Sequence, residues 1–295
     1  MNVALTYNRQ RSGCEYDTPE TIDRLSAALR KLGHVVRPVE VSLPLDELVV
    51  TLRRLAPELV FNLAEGDRGR FREAFYPALY EHLGLRHTGS SASVLAVCLD
   101  KALAKRIVAA AGVRVPEGVV VRGEIPDLEL PAIVKPNFEG SSLGITEASV
   151  VTTRAALERV VTATLARYPD GVLVEDYIAG NDVAVGWVCG VGLLAPVRYI
   201  HTGLVFDQVQ KRVHRIEVVD DRAICEAAAR AFTALGVTGY GRADFRVTPG
   251  GEVVFLEMNP LPSLAFEHNE LYAAAARLGK TPDQLVAAII ATGLH

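Results

Sequence analysis

The chain has 295 residues, 49% hydrophobic and 22% charged, a balance that excludes a largely disordered chain and leaves room for two or three compact modules or one large domain. Its net charge of -4 argues against a duplex nucleic-acid partner, which would favour a basic face. No apolar run approaches the roughly 18 residues of a membrane span, and the opening MNVALTYNRQ lacks the basic start and long apolar core of a signal peptide, so the expected location is the cytoplasm.

In chain order, the first third alternates strand and helix. VALTY at 3–7 reads as a strand. Thr18 then caps a helix with Pro19 at its first position and Ile22, Leu25, Leu29 and Leu32 along one face. Gly33 ends that helix, and HVVRPVEV (34–41) reads as a strand, DELVVTLRRL (46–55) as a helix, ELVFNL (58–63) as a buried strand and EAFYPALYEHLG (73–84) as a helix. This alternation predicts a small parallel sheet with helices on its faces. The first strand leads into TYNRQRSGCEYD rather than GxGxxG, so the unit is not a dinucleotide site of that kind.

Beyond residue 97 the character changes. DKALAKRIVAAA (100–111) is a helix with Lys101 and Lys105 one turn apart, ended by Gly112 and Pro116. Strands then dominate: GVVV (118–121), AIVKP (132–136), GITEASV (144–150), VLVEDYI (172–178), DVAVGWVCG (182–190) and GLLAPVRYI (192–200), with a helix at about 153–166. The last stretch holds a helix over 221–235, the strand pair GYGRADFRV and EVVFLEMN, and two closing helices, the second started by Thr281 and Pro282. The expected organisation is three modules: an α/β unit at 1–97 and two α+β units at 98–179 and 180–295. Cys14, Cys98, Cys189 and Cys225 are scattered without CxxC or zinc spacing and read as free thiols.

The chemistry concentrates in the last strand pair. The Gly-rich turn TPGGE joins two antiparallel strands, with Asp244 on one and Glu257 and Asn259, two apart and therefore on one face, on the other. Buried carboxylates together are costly unless a cation neutralises them. Magnesium suits such an oxygen set, held by one or two carboxylates plus substrate phosphates. The alternative is one carboxylate paired with Arg242 and the others facing solvent. Phosphate in turn calls for fixed cations, and Lys101, Lys135 and Lys211 are candidates. Lys135 ends the apolar run AIV, where a lysine has an anionic partner or ligand. The loop FEGSSLGI after it is either a turn or a cover for phosphates that offers backbone N–H groups and the hydroxyls of Ser141 and Ser142. It lacks GxxxxGK[ST], so the chain is not a P-loop NTPase. VLVEDYIAGND ends a strand with Glu175, Asp176 and Asp182, which read either as solvated carboxylates or, with free backbone groups at 175–178, as groups that meet adenine and ribose.

DKALAK, IVKPNFEGSSLGI, VEDYIAGND, GYGRADF and FLEMNP, in that order and spacing, resemble the D-alanine–D-alanine ligases of the ATP-grasp superfamily, over about residues 85–280. The resemblance implies a three-module enzyme that binds ATP between two α+β modules, phosphorylates a carboxylate and lets an amine attack the acyl phosphate. It implies that Lys101 and Lys135 bind ATP phosphates, Glu175 and Ile178 meet adenine, and Asp182 meets the ribose. It also implies that Asp244, Glu257 and Asn259 hold two magnesium ions, that Arg242 stabilises the oxyanion of the tetrahedral intermediate, and that Lys211 sits near the γ-phosphate. Ser141 and Ser142 match the paired serines of the phosphate loop.

The chain departs from the family at its substrate half. Arg212 stands where a tyrosine is common. The N-terminal RSGCEYDTPE offers only Glu15 or Asp17 for an ammonium, in a loose alignment. FNLAEGDRGRFRE, with Arg68, Arg70 and Arg72, replaces a His-Gly motif and reads either as a solvated loop or as part of the site. The expected activity is ATP-dependent ligation of amino acids or peptides, with substrates other than two D-alanines favoured by Arg212. A ligase for other amino acids, a peptide or an intramolecular amide closure, and a nucleotide-binding regulatory protein without turnover, remain alternatives. A homodimer is compatible with the sequence.

Overall fold

Three sheets succeed one another along the chain in a computed structural model that describes residues 1–9, 17–67, 69–207, 209–213, 215–266 and 269–293. The first is parallel, in the order β2–β1–β3, and is built from β1 (Asn2–Tyr7), β2 (Val35–Glu40) and β3 (Leu59–Asn62). Parallel neighbours need crossovers, supplied by α1 (Pro19–Lys31) and α2 (Leu45–Leu55). Thr18 caps α1 by accepting from the Thr21 N–H, and Ile22, Leu25 and Leu29 are buried, as the spacing predicts. Side-chain alternation along β1 then divides the faces. Val3 and Leu5 pack with α1, while Ala4 packs with Leu48 and Leu52 of α2 and Tyr76 and Tyr80 of α3 (Arg72–His82).

The second sheet is antiparallel, in the order β4–β7–β5–β6: β4 (Gly118–Val121), β5 (Ala132–Pro136), β6 (Val150–Val151) and β7 (Val172–Asp176). Leu157 and Val161 of α6 (Arg154–Arg167) pack on Val134, Val172 and Val174. The strand expected over GITEASV shortens to Val150–Val151, because Thr146 and Ser149 cap each other reciprocally across a single 3-10 turn, Glu147–Ser149. Such local bonds compete with a sheet ladder for the same backbone groups.

The third sheet runs β11–β10–β8–β12–β13 with β9 added beside β8. Its strands are β8 (Asn181–Val188), β9 (Gly192–Leu193), β10 (Val197–Ile200), β11 (Arg215–Val218), β12 (Tyr240–Val247) and β13 (Val253–Asn259). GLLAPVRYI is two short strands rather than one, divided at Pro196, which has no N–H for a ladder. α5 (Lys101–Ala110) and α8 (Arg222–Leu235) cover Val183, Val185, Phe245 and Phe255 on one face. On the other, α9 (Glu270–Ala276) and α10 (Pro282–Thr292) share a single apolar cluster with α1, Val3 and Leu5. The first and third sheets are thereby bound into one core. The expected module edge near residue 97 falls within α4 (Ala92–Leu99), and that near 179 falls in the connection from β7 to β8. Among the described residues no helix is long and apolar enough to cross a membrane, and Cys98, Cys189 and Cys225 are free thiols. Cys14 lies outside the described residues.

Candidate active site

The β12–β13 hairpin sets the floor of a cleft. Asp244 lies directly opposite Glu257 and Arg242 opposite Asn259, and the register shifts immediately after Asp244 so that Phe245 pairs with Phe255. Opposed residues of an antiparallel pair share a face, so Arg242, Asp244, Glu257 and Asn259 converge. Arg242 forks onto Asp244, with Nε to Oδ1 at 2.7 Å and Nη2 to Oδ2 at 2.8 Å, and its Nη1 donates to Glu270 Oε1 at 2.7 Å. The Arg242–Asp244 pairing weighed from sequence therefore forms. Glu257, however, does not face solvent alone: Lys101 Nζ lies 2.8 Å from its Oε2.

These contacts divide the two carboxyls. Burial pushes Asp244 up to about 6, helped by the charges of Glu257 and Glu270 and opposed by Arg242. Burial also works against the Glu257 carboxylate, but Lys101, Lys135 and Arg242 more than reverse it and hold this group at about 2. Asn259 has its side-chain oxygen turned to the Leu261 N–H at 2.9 Å. Among the described residues no cluster of three or more His, Cys, Asp and Glu side chains could hold a metal ion. Two opposed carboxylates, one of them strained toward its neutral form, and an amide oxygen do fit magnesium. That ion takes part of its octahedral shell from phosphates and water, and a cation would relieve the carboxylate repulsion.

Lysines face the hairpin from the second module. Lys101 opens α5, where Asp100 caps the helix through the Leu103 N–H at 3.1 Å, and its Nζ also donates to the Glu139 carbonyl. Lys135, buried in β5, lies 2.5 Å from Glu175 Oε1, and Lys105 reaches Glu175 Oε2 at 2.6 Å. Lys105 thus has a structural partner that sequence reading did not assign. Burial, Lys135 and Lys101 bring it down to about 7 against the pull of Glu175. Burial disfavours the Glu175 carboxylate, yet the two lysines hold it below its ordinary range.

The loop after β5 bends sharply. Ser141 (φ 43°), Ser142 (φ 61°) and Gly144 (φ 74°) are left-handed, a conformation costly for the two serines. Ser142 Oγ donates to the Phe206 carbonyl at 2.7 Å, joining this loop to the segment leading to α7 (Gln210–Val213), which carries Lys211. Asp182 is held by His201 Nε2 at 2.8 Å and Arg246 Nε at 2.9 Å, and Arg246 Nη1 also donates to the Ile178 carbonyl at 3.2 Å.

The resulting cleft, about 400 Å³, opens between the second and third sheets. Of the residues singled out from sequence, Lys101, Lys135, Ser141, Ser142, Asp182 and Lys211 line it, as do Arg242, Asp244, Glu257 and Asn259. Glu175 and Ile178 lie outside its lining: Glu175 is buried behind Lys135, and Ile178 sits past the end of β7. Glu65, Glu270 and Ser263 line the cleft without having been singled out. Glu65 lies three residues past the end of the buried parallel strand β3, at the end where α/β sheets bind ligands, and that signal was available. Ser263 Oγ donates to Asp17 Oδ1 at 2.7 Å, and burial raises Asp17. Glu15, Arg68 and the Arg212 side chain lie outside the described residues. The solvated-loop reading of the arginine segment is corrected at Arg72, which is buried against Phe138 and Glu139.

A nucleotide-sized cleft between two antiparallel sheets, behind a small parallel-sheet module, is the ATP-grasp ligase architecture. The D-alanine–D-alanine ligase of Bacillus anthracis, solved in complex with ATP, superposes with a TM-score of 0.80 over 99% of this chain and 97% of that one, at 21% identity. The VanG D-Ala:D-Ser ligase of Enterococcus faecalis superposes at 0.77, with 20% identity over 99% and 98% of the two chains. The family model described as D-ala D-ala ligase C-terminus matches residues 106–291. The D-alanine–D-alanine ligase of Gluconobacter oxydans is 33% identical over 80% of this chain and 81% of its own length, and that of Aquifex aeolicus is 30% identical over 90% and 92%. The chain belongs to the D-alanine–D-alanine ligase family, and is an ATP-dependent carboxylate–amine ligase that forms a C–N bond.

Proposed function

We propose that this cleft joins the carboxylate of one amino acid or short peptide to the amine of another. The observation that carries the reading is the opposition of lysines 101, 135 and 211 to the acidic hairpin across one cleft. In this reading Lys101, Lys135 and Lys211 bind ATP phosphates, and the loop 139–144 covers them with Ser141 and Ser142. The backbone of 175–178 meets adenine, since the Glu175 side chain is already engaged by two lysines, and Asp182 meets the ribose. Asp244, Glu257 and Asn259 would hold two magnesium ions, which would offset the negative charge of the phosphates.

The substrate carboxylate attacks the γ-phosphorus, ADP departs, and an acyl phosphate remains. The amine then attacks the acyl carbon, the developing oxyanion is stabilised by Arg242, and collapse expels inorganic phosphate and a proton to leave the amide. Arg242 already carries Asp244 and Glu270, which fixes its guanidinium before charge develops. The reaction belongs in the cytoplasm, where ATP is supplied. Residues 10–16, where the N-terminal ammonium-binding candidate Glu15 lies, are outside the described structure, and Glu65 and Glu270 give the cleft acidic groups of its own. Because Arg212 places a fixed, forked cation where a tyrosine is common, two D-alanines are expected to be poor substrates. An ADP-release screen over amino acids singly and in pairs tests this. D-alanyl-D-alanine as the best product restores the plain family activity, whereas nucleotide binding without ADP release from any pair favours a regulatory protein.

A further inference from the structure

Arg72 occupies the first position of α3 and is buried there. A cation at the positive end of a helix is opposed by the dipole, and burial adds to the cost, so other groups must compensate it. Part of the compensation comes from a different module. Nη1 donates to the Phe138 carbonyl at 2.5 Å, and Nη2 lies 3.4 Å from Glu139 Oε2, with its own neighbour Glu73 at 3.7 Å. Phe138 and Glu139 begin the loop that carries Ser141 and Ser142, and Lys101 donates to the Glu139 carbonyl from the other side. Arg70 adds a second contact, 5.7 Å over the Phe138 ring. At the other end of the same N-terminal turn, Glu65 lines the cleft. The turn closes at Gly66 (φ +72°), where an added Cβ would sit 2.5 Å from the Arg72 carbonyl oxygen. The close approach of Gly66 to Arg72 therefore couples Glu65, which touches the cleft, to Arg72, which grips the base of the serine loop.

We propose that Arg72 is a positioning residue for ligation, tying the serine loop to the N-terminal sheet so that the loop excludes water from the acyl phosphate until the amine attacks. This rests on the ligase reading above. Water reaching an acyl phosphate returns the carboxylate and inorganic phosphate, so ATP is spent without an amide. A residue that only supports the fold would lower ADP release and amide formation together. A residue that seats the loop changes their ratio.

The test uses the full chain with Arg72→Ala, Arg72→Lys and Glu139→Gln. It measures ADP released per amide formed and, separately, hydrogen exchange across 138–144 without nucleotide. In Arg72→Ala the ratio should rise at least about threefold, and exchange at 138–144 should quicken about tenfold while α10 is unchanged. Arg72→Lys should fall between, since an ammonium supplies charge without the planar fork, and Glu139→Gln should shift the same way. Should Arg72→Ala fail to fold, the other two variants decide by the same criteria. A wild-type ratio with unchanged exchange overturns the proposal, as does a parallel fall of ADP and amide. If the wild-type protein forms no amide from any pair, the ligase reading fails, and the exchange measurement still decides whether Arg72 anchors the loop.

Discussion

Replacing Glu257 by Gln keeps the shape of the side chain and removes one charge from the hairpin, so its cost can be worked from the contacts. The carboxyl is held at about 2 against an ordinary 4.5, by Lys101 at 2.8 Å first, with Lys135 and Arg242, working against burial. At about 1.4 kcal/mol per pH unit, that difference is on the order of 3 kcal/mol of stability at neutral pH. Part returns, because the Glu257 charge helps hold the opposed Asp244 at about 6, and Asp244 relaxes once that charge is gone. The expected net loss is about 1–3 kcal/mol, within the range for breaking a partly buried pair. A depressed acid stabilises the fold fully above its unfolded value, and that contribution disappears as pH falls toward the folded one. The gap between wild type and Glu257→Gln in urea unfolding should therefore be widest near pH 7 and shrink by roughly half at about pH 3. The same variant should lose at least about 100-fold in ATP turnover and need more magnesium for half-maximal rate. An equal gap at both pH values would refute the charge account, and near-wild-type turnover with an unchanged magnesium response would remove the metal assignment.

Further outcomes are equally specific. Hydrogen exchange across 139–144 should slow when ATP and magnesium are added, and identical protection with and without them would return this loop to an ordinary turn. Glu175→Gln strands Lys105 and Lys135 without their acid and should cost about 3–5 kcal/mol in urea unfolding, with a loss below about 1 kcal/mol counting against the buried triad. Lys105, brought down to about 7 chiefly by burial, costs stability below that pH and is relieved between it and 10.5. Wild type should thus gain stability over Lys105→Met across that alkaline window, and a flat difference would contradict the burial. Gly186→Ala in β8 should destabilise by about 1–3 kcal/mol, because its Cβ would meet the Leu271 side chain at 2.4 Å, and a change within about 0.5 kcal/mol would show that α9 yields freely.

What the sequence made legible was local. Thr18 with Pro19, and Thr281 with Pro282, mark helix starts through bonds made within one turn. TPGGE between two alternating apolar runs marks a hairpin, and that hairpin fixes which of Asp244, Glu257 and Asn259 share a face. The pairings that set charge and reactivity join distant segments, and neither partner carries a local trace of the other. Lys101 with Glu257, Arg242 with Glu270 and Arg72 with Phe138 are of this kind. Lys105 reads as an ordinary helical lysine until β7 brings Glu175 beneath it. Over GITEASV, β-branched residues favour a strand, but the reciprocal cap of Thr146 and Ser149 decides the outcome, and its competition with the ladder depends on the edge position of β6.

The register shift after Asp244 governs how this hairpin can change length. Glu257 and Phe255 are two apart and in an unbroken ladder would point the same way. With the shift, Glu257 stands over the cleft while Phe255 meets Phe245 edge to face, centroids 5.7 Å apart, in the core. Losing Leu256 would leave Glu257 adjacent to Phe255 and so still on the opposite face, whereas a residue inserted between Asp244 and Phe245 would straighten the ladder and send either an acid into the apolar layer or a phenyl ring into the cleft. A residue added or lost at the tip, between Val247 and Val253, would leave both partnerships intact. Related chains in which this hairpin is longer should therefore carry their insertions at the tip, and none between Asp244 and Phe245.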